Sequence, residues 1–203
     1  MISPATRELL LEFEVGGGES YYNARLKHPT WPGVQSGVTI GVGWDCGYNS
    51  ASDIRSTWAP LGADARRLEA VAGVKGFAAK AMAEARRDIV VPWALALDVF
   101  ETSTIPRFSA LVRATYPGAN LLHPDAFGAL LSLTFNRGSK LTGETRREMK
   151  ALGPLVKKRD YPGMAAQVRA MKRLWPDVRG LLRRREAEAA LLERCEGKVA
   201  FRG

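Results

Sequence analysis

Apolar positions follow two periods along this chain, and the switch between them lays out its elements. From Gly37 to Gly47 the chain reads G-V-T-I-G-V-G-W-D-C-G. Val38, Ile40, Val42 and Trp44 fall on one side of an extended backbone, and Thr39, Gly41, Gly43 and Asp45 on the other, because side chains alternate across a strand. One unbroken strand would hold Thr39 and Asp45 about 20 Å apart, at roughly 3.3 Å per residue. Glycine inside a strand pattern marks a bend or a close backbone approach. A turn at Gly41-Val42-Gly43 therefore folds the stretch into a hairpin with Thr39 and Asp45 opposite each other. Two readings of that hairpin stay open: plain scaffold, or a binding place built from a hydroxyl and a carboxylate beside bare glycine backbone.

Elsewhere the spacing is helical. Ser3-Pro4 supplies an N-cap and a proline at the first helical position, Leu9, Leu10 and Phe13 form a stripe, and Gly16-Gly17-Gly18 ends the segment. Glu12 and Glu14 fall in its last turn, where a carboxylate opposes the helix dipole. Glu14 flanks the apolar stripe, which suits either a retained chemical role or a solvated surface glutamate. Glu19 to Ser36 reads as irregular; its aromatics, among them Tyr21, Tyr22 and Trp31, suit a sugar-binding groove or local packing. A short helix is expected from Ser52 to Trp58, closed by Pro60 and Gly62, then alanine-rich helices over 63–72 and 76–88, broken at Gly73. Pro92 opens a helix carrying Trp93, Leu95, Leu97 and Phe100, and Ile105-Pro106 restarts one that stops near Pro117-Gly118. Pro124-Asp125 opens the most apolar helix, 126–135, the expected buried centre. Segments 145–152, 162–175 and 178–195 complete the set. The pattern predicts an α+β, predominantly α chain: a single domain over 1–203, with a small β-hairpin lobe over about 1–50 and a larger helical lobe over about 51–203.

Composition narrows the partners. At 203 residues, with 46% hydrophobic and 25% charged positions, the chain suits one soluble globular domain. No apolar run approaches a membrane span. The N-terminus lacks the charged region and unbroken apolar core of a signal peptide, so synthesis in a cytoplasm is expected. A net charge of +9 favours an anionic partner: nucleic acid, an acidic membrane surface or a polyanionic cell wall. No nucleic-acid-binding motif is present, so nucleic acid is not expected. Cys46 and Cys195 have no C-x-x-C spacing, and the only histidines are His28 and His123, so no metal site is expected. Two buried thiols are the default reading, with a long-range disulfide left open.

A serine–histidine–acid triad and a phosphate loop both lack their signatures. What remains is acid chemistry. Glu14 at a helix end and Asp45 on the hairpin, with aromatics between them in sequence, suit glycoside hydrolysis. One protonated carboxyl gives its proton to the leaving oxygen, and one ionised carboxylate attacks or orients a water.

Four stretches carry a resemblance. L-L-L-E-F-E at 9–14 resembles the first helix of phage-type lysozymes (glycoside hydrolase family 24), which ends in a catalytic glutamate. G-V-T-I-G-V-G at 37–43 is similar to the family's T-I-G-x-G hairpin, A-L-L-S-L-T-F-N-R-G at 129–138 to its central helix, and W-P-D-V-R-G-L-L-R-R-R-E-A-E at 175–188 to its closing helix. The chain looks most like the pesticin-like branch, and the stretch from Ser50 to Asp88 matches least. The resemblance implies a lysozyme-like fold and a muramidase. Such an enzyme would cleave the β-1,4 bond between N-acetylmuramic acid and N-acetylglucosamine of bacterial peptidoglycan, in this family usually with inversion. It implies Glu14 as general acid and Thr39 as the hydroxyl that helps hold the water. Val15 stands before Gly16 where the family usually has glycine at once, so Glu12 remains an alternative acid. Most of the family places its aspartate shortly after a tyrosine; Tyr21-Tyr22-Asn23-Ala24 has none, whereas Asp45 occupies the place used by the pesticin-like branch. By the same analogy Arg184 or Arg185 pairs with Glu14, against a solvated basic face. Asn136, Trp44 and Tyr21 are candidate sugar contacts, against helix capping for Asn136 and packing for Trp44 and Tyr21. No cofactor or metal is implied. The partners implied are peptidoglycan and an anionic membrane surface, met by a monomer after assisted export or release. A non-catalytic wall-binding protein and a chitinase-like hydrolase are the alternatives.

Overall fold

Ser3 opens the first helix by the mechanism its position suggests. Its Oγ accepts the backbone N–H of Thr6 at 3.1 Å, and Pro4 follows as the first residue of α1, Pro4–Val15. In this computed structural model residues 2–16 and 18–197 are described. The described residues are predominantly helical, with one small antiparallel sheet among them. It divides into two compact units, Glu14–Pro106 and Met1–Phe13 with Arg107–Gly203. The hairpin's unit therefore runs on to Pro106 and includes the helices of 51–104.

Within Glu14–Pro106, the stretch expected to be irregular begins with a helix, α2, Glu19–Arg25. What the sequence period did not reveal is that this helix is organised by a single buried side chain. The Tyr22 ring lies 5.1 Å from that of Trp93, and its hydroxyl donates to the Val91 carbonyl at 2.9 Å. Burial pushes that phenol's pKa well above its usual range. The sheet follows as β1, Thr39–Ile40, and β2, Trp44–Asp45. Then come α3 (Ala51–Thr57), α4 (Ala63–Glu69) and α5 (Phe77–Glu84). The capping box of α3 uses Ser50 and Asp53, so the helix begins at Ala51, one position earlier than the Ser52 start expected. Val38, Ile40, Val42 and Trp44 are all buried, as their alternation requires, together with Ile54, Trp58 and Leu68.

Helix α6, Trp93–Val99, does not stop before a new start at Ile105. It passes through a π-helical turn, Phe100–Thr104, straight into α7, Ile105–Thr115. Pro106 lacks the N–H that would bond one turn back, and a π turn there lets the helix continue around that gap.

The second unit is built from α1, α7 and four further helices: α8 (Pro124–Arg137), α9 (Arg147–Lys158), α10 (Tyr161–Ala170) and α11 (Arg179–Glu193). Helix α8 is the buried centre its composition predicts: Ala126 and every residue from 128 to 134 are buried. Each fully buried leucine there contributes about 1.5–3 kcal/mol of transfer free energy. Helices α10 and α11, α9 and α10, and α8 and α11 pack in pairs. Helix α1 meets α8 at Gly128, where an added Cβ would lie 1.8 Å from Thr6 Oγ1, so only glycine admits this approach.

Candidate functional site

The hairpin closes where the glycines allow it. Gly41 and Gly43 have φ of 59° and 70°, a left-handed region that side chains resist. Residues 41–43 form the turn, and the register pairs Thr39 with Asp45 and Ile40 with Trp44. A hydroxyl and a carboxylate thus stand across from each other on the half-buried face. On its other side Thr39 exchanges two backbone bonds with Thr30, at 2.8 and 2.9 Å, which fixes its position from both flanks.

Asp45 is tied down more tightly than its sequence context indicates. Its Oδ1 accepts the N–H of Gly47 at 2.8 Å, capping a 3-10 turn over Cys46–Tyr48. The N–H of Gly37 reaches both oxygens, at 3.0 Å each. A carboxylate has about four acceptor positions, so Oδ2, with one shared bond, keeps capacity for another donor. Asn49 Nδ2 adds a bond to the Asp45 carbonyl at 2.7 Å. The neighbouring Cys46 thiol is pushed up to about 12, first by burial and then by the Asp45 charge.

Glu14 lies in the last turn of α1, half-buried beside the fully buried Val15, and belongs to the same compact unit as the hairpin. Glu12 is exposed and pairs with the exposed Arg183 at 2.9 Å. Of the two glutamates, Glu14 is the more buried. Trp44 is only 5% exposed, with its ring 6.0 Å from that of Trp58, so it packs the hairpin and presents little surface to a sugar. Tyr21 is exposed on α2, and Asn136 is exposed near the end of α8.

A solvated face for Arg184 and Arg185 is overturned. Both are buried, at 4% and 0% exposure. Arg185 Nη2 donates to Glu188 Oε1 at 2.8 Å and to Asn136 Oδ1 at 3.3 Å, while Arg184 Nη2 donates to the Ser132 carbonyl at 3.0 Å. Ser132 Oγ donates to Glu188 Oε1 at 2.6 Å. Burial pushes the Glu188 carboxyl up and the Arg185 guanidinium down, because it penalises both charges. The sequence reading missed Glu188 and Ser132 in this cluster. The signal available was spacing: Glu188 follows Arg184 and Arg185 by four and three, on one helix face.

The described residues also bring two neighbouring possible metal-ligand side chains, His123 and Asp125, together with the distant Cys195. Ligand atoms of His123, Asp125 and Cys195 lie within 4.8 Å of one another. Local structure already accounts for the arrangement. His123 Nδ1 accepts the Asp125 N–H at 3.2 Å as the cap of α8, and lies 3.4 Å from Cys195 Sγ. Among the described residues neither Cys46 nor Cys195 is in a disulfide; both are buried thiols.

No protein-family model matches the chain, and no curated protein matches it.

Proposed function

We propose that this chain is a peptidoglycan hydrolase of the phage-lysozyme kind, a muramidase with a lysozyme-like fold. The observation that supports it most is the pairing of Thr39 with Asp45 across a two-residue ladder, with the Asp45 carboxylate held by three backbone N–H contacts. In this reading Glu14 is the general acid. Its proton passes to the glycosidic oxygen as the bond to the anomeric carbon breaks. Thr39 Oγ and Asp45 Oδ2 orient the attacking water, whose oxygen bonds to that carbon from the opposite face and whose proton passes to the carboxylate. This is the inverting arrangement. Exposed Tyr21, in the same compact unit, is the remaining candidate sugar contact, while Arg184 and Arg185 support α11 from inside. The charge of +9 draws the enzyme to anionic wall polymer. The reading needs no cofactor, metal or nucleic acid, and takes the chain as a monomer that reaches the wall by assisted export or release.

Muropeptide analysis of digested peptidoglycan tests this. Wild type should produce new reducing ends at N-acetylmuramic acid, and Glu14→Gln should lose about 10²–10⁴-fold of the rate while remaining folded. A folded Glu14→Gln that digests as fast as wild type removes the assignment of the acid. Cleavage of chitin with none of peptidoglycan removes the substrate.

One observation favours a second reading. The bonds of Asp45 also make sense as pure hairpin architecture, which fits a non-catalytic wall-binding protein. That reading expects the wild type to bind peptidoglycan sacculi and release nothing.

A further inference from the structure

Two of the most exposed large apolar side chains among the described residues sit on neighbouring segments. Val34 is 84% exposed and Phe77 83%. A lone exposed apolar residue is ordinary on a protein surface, so the clustering is what matters. The segments are joined by backbone: the Gly76 N–H donates to the Ser36 carbonyl at 3.0 Å, and Gly37 bridges to Lys75. Phe77 lies against Trp31, with ring centroids 5.5 Å apart at 41°. Trp31 is itself pinned by its Nε1–H, which donates to the Ser36 carbonyl at 3.0 Å.

Val34 holds φ of 50°. A β-branched residue seldom adopts this left-handed conformation, and the cost, about 1–3 kcal/mol, persists only where surrounding structure imposes it. Here the strained residue holds an isopropyl group in solvent, on a segment bonded to the one that carries the exposed Phe77. Burial does not account for that placement, since both side chains are more than four-fifths exposed.

The exposed charges on these two segments have one sign, while the nearby Asp45 is half-buried and bonded to the Gly37 N–H. Residues 29–44 contain no charged side chain, and 73–83 contain only Lys75 and Lys80, both exposed. Lys75 Nζ stands 3.6 Å above the ring of the half-exposed Tyr48. Protruding aliphatic and aromatic groups, a tryptophan beside them and a lysine rim are the composition that seats a surface at the headgroup boundary of an anionic bilayer. A glycan is a poorer fit. Its recognition needs several convergent polar groups around a stacking ring, and near Val34 and Phe77 the neighbours in sequence are Pro32, Gly33, Gln35 and Ala78.

We propose that the Trp31–Val34–Phe77 knuckle, rimmed by Lys75 and Lys80, docks this protein onto anionic lipid bilayers. The site is independent of the muramidase reading, since lipid binding and glycan cleavage are measured separately.

The test is co-sedimentation of the full chain with large unilamellar vesicles, either phosphatidylcholine alone or mixed with phosphatidylglycerol. Wild type should bind the anionic vesicles and not the zwitterionic ones. Phe77→Ser and Val34→Gly should each weaken binding about tenfold, the value expected for losing one inserted apolar side chain. Val34→Gly relieves the strained φ, so it controls for misfolding. Leu121→Ser, which removes an exposed leucine elsewhere, should leave binding unchanged. Brominated lipid should quench part of the tryptophan fluorescence, and Trp31→Phe should remove that part. Absence of binding at low salt overturns the proposal. So does equal binding by Phe77→Ser, Val34→Gly and wild type, which would mean attraction by net charge alone. Displacement from the vesicles by soluble peptidoglycan fragments would assign the knuckle to glycan and overturn it too.

Discussion

Gly37 donates its backbone N–H to both carboxylate oxygens of Asp45, at 3.0 Å each. The contact needs glycine. A Cβ at position 37 would lie 2.4 Å from Asp45 Oδ1, 2.4 Å from the Gly47 nitrogen and 2.5 Å from its Cα. Two of these are backbone atoms of the capped turn and cannot rotate away. Gly37→Ala is therefore expected to cost about 1–3 kcal/mol of stability, read as a shift in urea midpoint at unchanged slope. If Asp45 orients the water, wall hydrolysis should fall further than the loss of folded protein explains.

Gly128 and Thr6 make the corresponding close approach between α8 and α1. Gly128→Ala brings its Cβ to 1.8 Å from Thr6 Oγ1 and 2.6 Å from Thr6 Cβ. It should destabilise by about 1–3 kcal/mol or more. Thr6→Ala removes the nearest atom and leaves Cβ in place, so the double variant should recover only part. A double-mutant cycle by thermal unfolding measures the coupling.

The buried cluster of α11 should respond asymmetrically. Glu188→Leu alone removes the carboxylate that faces the buried Arg185 and Arg184 guanidinium groups and is expected to cost about 3–5 kcal/mol. Arg185→Met combined with Glu188→Leu should cost less than that single change, because Arg185 Nε and Nη1 have no hydrogen-bond partner in the described structure. Denaturant unfolding of the single and double variants decides the order.

On the surface of the same helix, Glu186 bonds to Arg169 at 2.9 Å and to Lys172. These two cations hold its carboxyl down, at about 2. Its folded pKa is depressed, so its contribution is complete above the unfolded value near 4.5 and is lost as pH falls through about 2. Solvent screening of this half-exposed group keeps the contribution below about 1 kcal/mol. The stability difference between wild type and Glu186→Gln should be measurable at pH 6 and should shrink toward zero near pH 2.

Burial of Cys46 predicts slow thiol chemistry. In a Cys195→Ser background, a disulfide reagent at pH 8 should leave the remaining thiol unlabelled until denaturant is added.

Local rules made the hairpin, the helix starts and the central helix legible. Alternation and two glycines determine the turn at 41–43 and with it the opposition of Thr39 and Asp45. Ser3 caps α1 by a bond made within its own first turn. The apolar run of α8 forces its burial, since a helix apolar all round has no face for water. In each case the information lies within a few residues of the feature it fixes.

Tertiary structure decided what separated segments do to one another. Helix α2 depends on the Tyr22 bond to Val91, 69 residues away. The continuous helix through Pro106 depends on a π turn that no period in the sequence announces. Arg184 and Arg185 look like a solvated basic face because arginines on an amphipathic helix usually are one; only the approach of Ser132 from α8 lets them be buried with Glu188. Trp44 was available as a sugar contact until Trp58 and the hairpin closed over it. The side of a strand or helix on which a residue falls is a local property of its backbone period. Whether that side meets solvent or another element is set by contacts between residues distant in sequence, and for these positions the packing alone determined it.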